Sequence, residues 1–420
     1  MILRAKIILP ITAPPIEDGA VLVVGNKIRA VLPWREIARH AALRTRHPLT
    51  DLGEVILLPG LINAHCHLDY TGMAGEISPP KNNFTDWIAA ITAYKASWDY
   101  SDYAQSWLRG AHQLLKTGTT TVADIEAVPE LLTEVWDATP LRVLSFLEMT
   151  GIKSRRPPRN ILREAARTIS TLKHPRHSAH LSPHAPYSTV PELLKLSAAA
   201  ARKKNWRVST HIAESAAEFE MFQNATGAMH DWLARNGRDN ADCGHGSPVA
   251  HYAKNKSLGE NVLAVHVNYL ARGDASLLGK SGTHIVHCPR SHDYFRHAKF
   301  ERERLANAGV NLCLGTDSLA TTRKDGKQKP QLDMFAEMRT LADKDMAIAP
   351  EEILQMATVN GARALGLARK VGELSKNAFA DLIALPCPRK ISKAYEAVLE
   401  HSGNVAASMI EGRWAIPPTS

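Results

Sequence analysis

Leu58-Pro59-Gly60-Leu61-Ile62-Asn63-Ala64-His65-Cys66-His67 is an apolar run that stops at two histidines spaced by one residue. Alternate residues of a strand project to the same side. His65 and His67 therefore leave one strand end as a pair, and Cys66 turns the other way into packing. Outward from this stretch the pattern repeats. Strands are predicted over 55–62, 119–124, 141–147, 179–184, 207–211, 262–266, 283–287 and 312–317. Helical patterns fill the gaps, at 103–116, 161–172, 191–203 and 300–308 among others. Eight strands alternating with helices is the signature of a parallel (β/α)8 barrel.

Both ends of the chain read differently. Short β-rich runs broken by Pro and Gly-Asn turns occupy 7–10, 20–24 and 27–31, and the same texture returns at 380–385 and 406–411. The expected organisation is a small β-sandwich domain made of residues 1–57 plus 368–420, beside a hydrolase barrel over 58–367.

Composition limits the function classes. The 420 residues are 45% apolar and 22% charged, as in ordinary globular proteins, which excludes disorder, collagen and coiled coil for the whole chain. Lys and Arg number 51 against 42 Asp and Glu, a net +9 that is mild for this length. No basic run with interleaved aromatics points to nucleic acid, and no run approaches the ~20 apolar residues of a membrane span. The densest basic cluster, Arg155, Arg156 and Arg159, reads as a solvated loop. The start of the chain, interrupted by Arg4 and Lys6, is too broken for a signal segment. Five scattered cysteines (Cys66, Cys243, Cys288, Cys313, Cys387) form no C-x-x-C pair, which suits a reducing compartment and a cytoplasmic protein.

The count that stands out is 19 His. Five of the eight predicted strands end at or beside one: His65 with His67, His184, His211, His266 and His287; the eighth ends in Asp317. A lone strand-end histidine is more often a buried, hydrogen-bonded residue than a ligand. In a barrel, however, all C-terminal strand ends face one pocket, so the set converges. His65, His67, His211 and Asp317 are the candidate ligands of one divalent ion, zinc ahead of iron, with a position left for water.

The motif around His65 and His67, with His211, His266 and Asp317 following in order, resembles the amidohydrolase superfamily along essentially the whole chain. The resemblance implies a barrel that activates water on a metal. The fourth strand, Ala179-His180-Leu181-Ser182-Pro183-His184, offers no lysine to bridge two metals, which argues for the one-metal branch. His211-Ile212-Ala213-Glu214 resembles the H-x-x-E of mononuclear deaminases and chlorohydrolases. By that resemblance Glu214 protonates a ring nitrogen of the substrate, Asp317 moves protons between water and the leaving amine, and His266 orients the attacking water.

Substrate clues come from three segments. Ser182-Pro183-His184-Ala185-Pro186-Tyr187-Ser188 is similar to the fourth strand of adenosine-type, S-adenosylhomocysteine and guanine deaminases, where the histidine reaches substrate. Leu68-Asp69-Tyr70-Thr71-Gly72-Met73 and Phe84-Thr85-Asp86-Trp87-Ile88 resemble the aminodeoxyfutalosine deaminase branch of menaquinone synthesis. His184 and Trp87 are the candidate substrate contacts, Trp87 as a pocket wall or as core packing. A benzoate-bearing substrate favours a basic pocket, with Arg290 or the Arg155–Arg159 segment as the source of charge. His287 has no assigned role. The implied activity is a metal-dependent hydrolytic deaminase acting on the exocyclic amine of an adenine-type nucleoside. The alternative is a chlorohydrolase or other cyclic C–N hydrolase on a triazine, guanine or related heterocycle. A barrel without catalysis, kept for protein association, would have lost ligands, and all five residues are present. The small heterocyclic substrate is the expected partner, with no nucleic acid and no membrane, and the resemblance implies a homodimer or larger assembly.

Overall fold

The computed structural model describes residues 1–39, 47–81, 83–152, 156–324, 326, 329–387 and 389–418. From the N-terminus run β1 (Ile2–Ile8), β2 (Ile16–Val24), β3 (Lys27–Pro33), β4 (Leu49–Asp51) and β5 (Val55–Pro59). There follow β6 (Leu61–Cys66), β7 (Thr119–Glu126), β8 (Arg142–Met149), β9 (Ser178–Pro183), β10 (Val208–Ile212), β11 (Val262–His266), β12 (His284–His287) and β13 (Leu312–Leu314). The chain ends in β14 (Leu382–Pro386), β15 (Ala407–Ile410) and β16 (Arg413–Ile416).

Two sheets result. One joins both termini in the order β16-β15-β14-β5-β1-β2-β3, with β4 also on β1. Its own core holds Leu3, Val21, Ile28, Leu57, Leu382 and Met409. This is the small β domain expected from the two ends. The other sheet runs β6 to β13 in sequence order, every neighbour parallel, with helices between the strands. It is the expected barrel. Ile62, Ala64, Ala123, Leu144, Phe146, Leu263, Val265 and Val286 fill its interior, each large side chain contributing about 1.5–3 kcal/mol on burial.

One expected strand divides. The run 55–62 is not a single barrel strand: Val55–Pro59 pairs with β14 and β1 in the terminal sheet, and only Leu61 opens the barrel. The break falls at Gly60. Its N–H donates to the Asp381 carbonyl at 3.1 Å, and a Cβ there would meet the Thr120 side chain at 2.1 Å. Only glycine lets the chain pass Thr120 from one sheet to the other.

The last barrel strand closes on the first through a short seam. The N–H groups of Thr316 and Asp317 both donate to the His65 carbonyl, at 3.0 and 3.1 Å, and Cys66 pairs with Asp317. Asn63 locks the seam: its Oδ1 accepts from the Thr316 N–H and its Nδ2 donates to Thr316 Oγ1 at 2.8 Å. Gly315 permits the approach, since a Cβ there would lie 2.7 Å from the His65 carbonyl oxygen. Closure of the barrel thus brings the residues around His65 against those around Asp317. The expected strand over 312–317 is shorter for the same reason, because after Leu314 the chain turns into this seam.

The helix Phe84–Lys95 matters for the site. Asn83 caps it, its side chain accepting from the Asp86 N–H at 3.2 Å. Trp87, Ile91 and Lys95 recur at four-residue spacing and so share one face. Among the described residues no helix is long and apolar enough to cross a membrane. All five cysteines are free and buried, Cys66 in the cluster with Leu68, Trp107 and Val122.

Away from the strand ends, His177 gives the fold a pH dependence. Its Nδ1 accepts from the Val143 N–H at 3.1 Å and its Nε2 lies 3.0 Å from the Trp136 carbonyl, so the neutral ring satisfies both partners. Burial, then the charges of His174 and Arg176, push it from the ordinary 6.5 down to about 3. The folded value lies below the unfolded one, so its stabilising contribution is whole above pH 6.5 and is lost as pH falls toward 3, by at most about 1.4 kcal/mol per pH unit. His177→Gln should flatten the fall of Tm between pH 6.5 and 4.5, measured by calorimetry. An unchanged slope would show that other groups carry it.

Candidate active site

The donor atoms of His65, His211, His266 and Asp317 all lie within 4.8 Å of one another, and all four residues are buried. They come from the ends of β6, β10 and β11 and from the closing seam after β13. His67 stands beside them. Asp317 Oδ1 is 3.7 Å from His65 Nε2 and 3.7 Å from His67 Nε2. Proximity alone therefore puts His266 in the tightest group, with His67 at its edge.

Local structure aims these side chains. Ala213, His266, Val267 and Asp317 all take left-handed backbone, with φ between 50° and 72°. For non-glycine residues such conformations cost energy and persist where the surroundings impose them. Here hydrogen bonds between neighbouring strand ends do so. The N–H of Val267 donates to the Ile212 carbonyl and that of Asn268 to the Ala213 carbonyl, both at 3.0 Å. His211 Nδ1 sits 2.9 Å from the His184 carbonyl, which fixes the ring and leaves Nε2 toward the group. Asp317 Oδ2 accepts from Ser291 Oγ at 2.7 Å and Thr321 Oγ1 at 3.2 Å, which leaves Oδ1 facing the imidazoles.

The donor set fits a divalent ion. Both ring nitrogens of His65 are buried and have no hydrogen-bond partner among the described residues, a costly state for a polar group unless something binds it. Burial depresses the imidazoles: His65 and His266 fall well below the ordinary value, and His211 to about 4. Neutral imidazole is the form that binds metal. Burial raises the Asp317 carboxyl, but His266, His67 and the Ser291 hydroxyl outweigh it and hold the group below its usual range. Three or four neutral nitrogens and one carboxylate oxygen match zinc and related divalent ions.

Glu214 joins them from the loop after β10. Its Oε1 is 3.6 Å from His266 Nε2. Burial, then the charges of Asp317 and Glu218, push its carboxyl well above the usual range. Glu218 holds this loop: its two carboxylate oxygens accept from the N–H groups of Ala213 and Glu214 at 2.7 and 2.9 Å. Asn268 Nδ2 donates to the Glu214 carbonyl at 2.9 Å. Sequence reasoning missed Glu218, although Ser215-x-x-Glu218 has the spacing of a helix-capping box.

A cavity of about 340 Å³ opens over the group, lined by His67, His184, His211, Glu214 and Asp317 at its base. His184 Nδ1 lies 2.6 Å from Ser188 Oγ, and its Nε2 is 3.9 Å from Glu148 Oε2. Trp87 forms a wall, backed by Phe295 with ring centroids 5.2 Å apart. Tyr70, Ile91, Lys95 and Glu148 complete the lining on that side.

Of the expected basic groups, Arg290, Arg156 and Arg159 do not line this cavity. The Arg290 guanidinium donates to the Gln331 carbonyl at 2.8 Å and neighbours Glu337, away from the cavity. Arg156 pairs with Glu164 and Arg159 with Glu192, and Arg155 lies outside the described residues. His287 does not line this cavity either; its ring stacks on Phe300 at 3.9 Å.

Known proteins share this architecture. The chain is 31% identical over 389 residues to a 5-methylthioadenosine/S-adenosylhomocysteine deaminase of Syntrophobacter fumaroxidans, covering 88% of this chain and 80% of that one. Its fold is similar to Helicobacter pylori aminofutalosine deaminase in complex with methylthio-coformycin, with a TM-score of 0.87 at 21% identity over 99% of this chain and all of the other. It also resembles a zinc-complexed atrazine chlorohydrolase of Arthrobacter aurescens, with a TM-score of 0.83 at 19% identity over 99% and 95% of the two chains. With the amidohydrolase family model matching residues 56–415, the chain belongs to the amidohydrolase family.

Proposed function

We propose that the chain is a zinc-dependent hydrolytic deaminase that replaces the exocyclic amine of an adenine-type nucleoside with oxygen. The observation that carries this is the placement of Glu214, 3.6 Å from His266, between the donor group and the open cavity. The relative named for deamination of 5-methylthioadenosine and S-adenosylhomocysteine supports the substrate class. The free cysteines suit a place in the cytoplasm.

His65, His67, His211 and Asp317 would hold the ion, which would supply Lewis acidity for activating water near neutral pH. Burial, which disfavours the carboxylate, pushes the Glu214 carboxyl well above its usual range and favours the protonated form. Glu214 gives its proton to the ring nitrogen beside the amine-bearing carbon, so the attacked ring never carries a full negative charge. Asp317 Oδ1 accepts a proton from the attacking water and passes it to the departing amine. The carbon gains a bond to oxygen and loses its bond to nitrogen, ammonia leaves, and the second proton of the water returns to Glu214 as the carbonyl forms. His266 orients the water between Glu214 and Asp317. His184 and Trp87 grip the heterocycle, Trp87 by stacking.

An ammonia-release screen of zinc-loaded protein tests the reading. Adenosine, methylthioadenosine, S-adenosylhomocysteine and aminodeoxyfutalosine should release ammonia, and a chlorotriazine should release no chloride. Chloride release without nucleoside deamination would reverse the conclusion.

A further inference from the structure

Among the described residues, one lysine and no arginine lines the cavity: Lys95. It ends the helix face that presents Trp87 and Ile91, so aromatic wall, apolar strip and ammonium follow in line. Its Nζ donates to the Tyr70 hydroxyl at 2.6 Å and lies 4.8 Å from the centre of that ring. Tyr70 in turn stacks on His67, with centroids 5.3 Å apart and planes at 9°. Lys95 thus stands two side chains away from the donor group, on the cavity wall outside the space over the ligands to which the deaminase reading assigns the base.

The Lys95 ammonium forms no ion pair among the described residues, although Glu148 shares its cavity wall. Asp69 and Glu148 feel its charge, but no carboxylate of the described residues stands within the 4.0 Å of an ion pair. An ammonium has three donors, and here one is used, on a neutral hydroxyl. A half-buried cation on a cavity wall with two donors to spare is built to meet an anion.

We propose that Lys95 receives a carboxylate carried by the substrate beyond its sugar, and so sets a preference of this enzyme for acidic nucleosides. The inference rests on the deaminase reading for the orientation of the base. A single ammonium suits a monoanion; a phosphate dianion would call for a second cation, and among the described residues none lines the cavity.

The test uses deaminated nucleosides, so that binding is read without turnover. Zinc-loaded wild type, Lys95→Met, Lys95→Arg and Tyr70→Phe are titrated calorimetrically with inosine, inosine 5′-carboxylate, S-inosylhomocysteine and inosine 5′-phosphate. Wild type should prefer at least one carboxylated ligand over inosine, and Lys95→Met should cut that preference about 10–100-fold, the loss of one charge-assisted hydrogen bond. Lys95→Arg and Tyr70→Phe should retain most of it. If Lys95 only steadied Tyr70, Lys95→Met would weaken all ligands alike, which would overturn the proposal. So would the absence of any preference in wild type, or a stronger one for the phosphate. A wild type that prefers the carboxylate yet releases no ammonia from any adenine nucleoside would sink the deaminase reading and leave the role of Lys95 standing.

Discussion

Glu214→Gln should leave the metal content unchanged and cut kcat by about 10²–10⁴, the usual worth of a positioned proton donor. The side chain is buried, and burial is the first cause of its raised carboxyl, followed by the charges of Asp317 and Glu218. A carboxyl whose protonated form is favoured by burial can give its proton to a ring nitrogen; an amide of the same shape can hydrogen-bond but cannot. The substitution should not disturb the loop. Glu218 holds the Glu214 N–H and Asn268 holds its carbonyl, and neither bond involves the altered side chain. KM should therefore move far less than kcat, as expected when an interaction made mainly in the transition state is removed. Metal per chain and steady-state kinetics on the same preparation check this. Near-wild-type kcat would remove Glu214 from the mechanism.

The barrel was legible because each strand is an apolar run with a helical pattern after it, and because barrel strands report their ends. That rule singles out His211, His266 and Asp317, whose donor atoms converge with those of His65 in the fold. The same rule passed over Glu148 by one residue: the strand was expected to stop at Leu147, whereas β8 runs to Met149 and carries Glu148 onto the cavity wall. Lys95 was missed for a different reason. Four-residue spacing from Trp87 places it on the same helix face, but sequence spacing says nothing of whether that face looks at solvent or at the pocket. The split at Gly60 depends on Thr120, sixty residues away in sequence and in contact only after both sheets have formed. Arg290 departs in the opposite direction: a benzoate-bearing substrate makes it a candidate source of charge in the pocket, yet Glu337 and the Gln331 carbonyl draw its side chain away.

His65→Ala and His67→Ala should each strip the ion and abolish turnover, whereas His266→Ala should keep the ion and lose turnover. Proximity groups His266 with the donors and leaves His67 at the edge, so the outcome discriminates. A tetrahedral zinc with bonds of about 2.0–2.1 Å spaces its ligands about 3.4 Å apart. Asp317 Oδ1 stands 3.7 Å from Nε2 of both His65 and His67, close to that spacing. Both imidazoles belong to one strand end with side chains on the same side. His65 in addition has no partner for either nitrogen among the described residues, and a bound ion would supply one. His266 points its Nε2 to Glu214 Oε1 at 3.6 Å, toward the group that serves the substrate. Losing it should remove a proton-positioning imidazole, again about 10²–10⁴ in kcat, without opening the ligand set. Metal per chain after gel filtration, with circular dichroism to verify folding, decides between the two histidines. Loss of the ion from His266→Ala with retention in His67→Ala would exchange their roles and make the tight group of four the true ligand set.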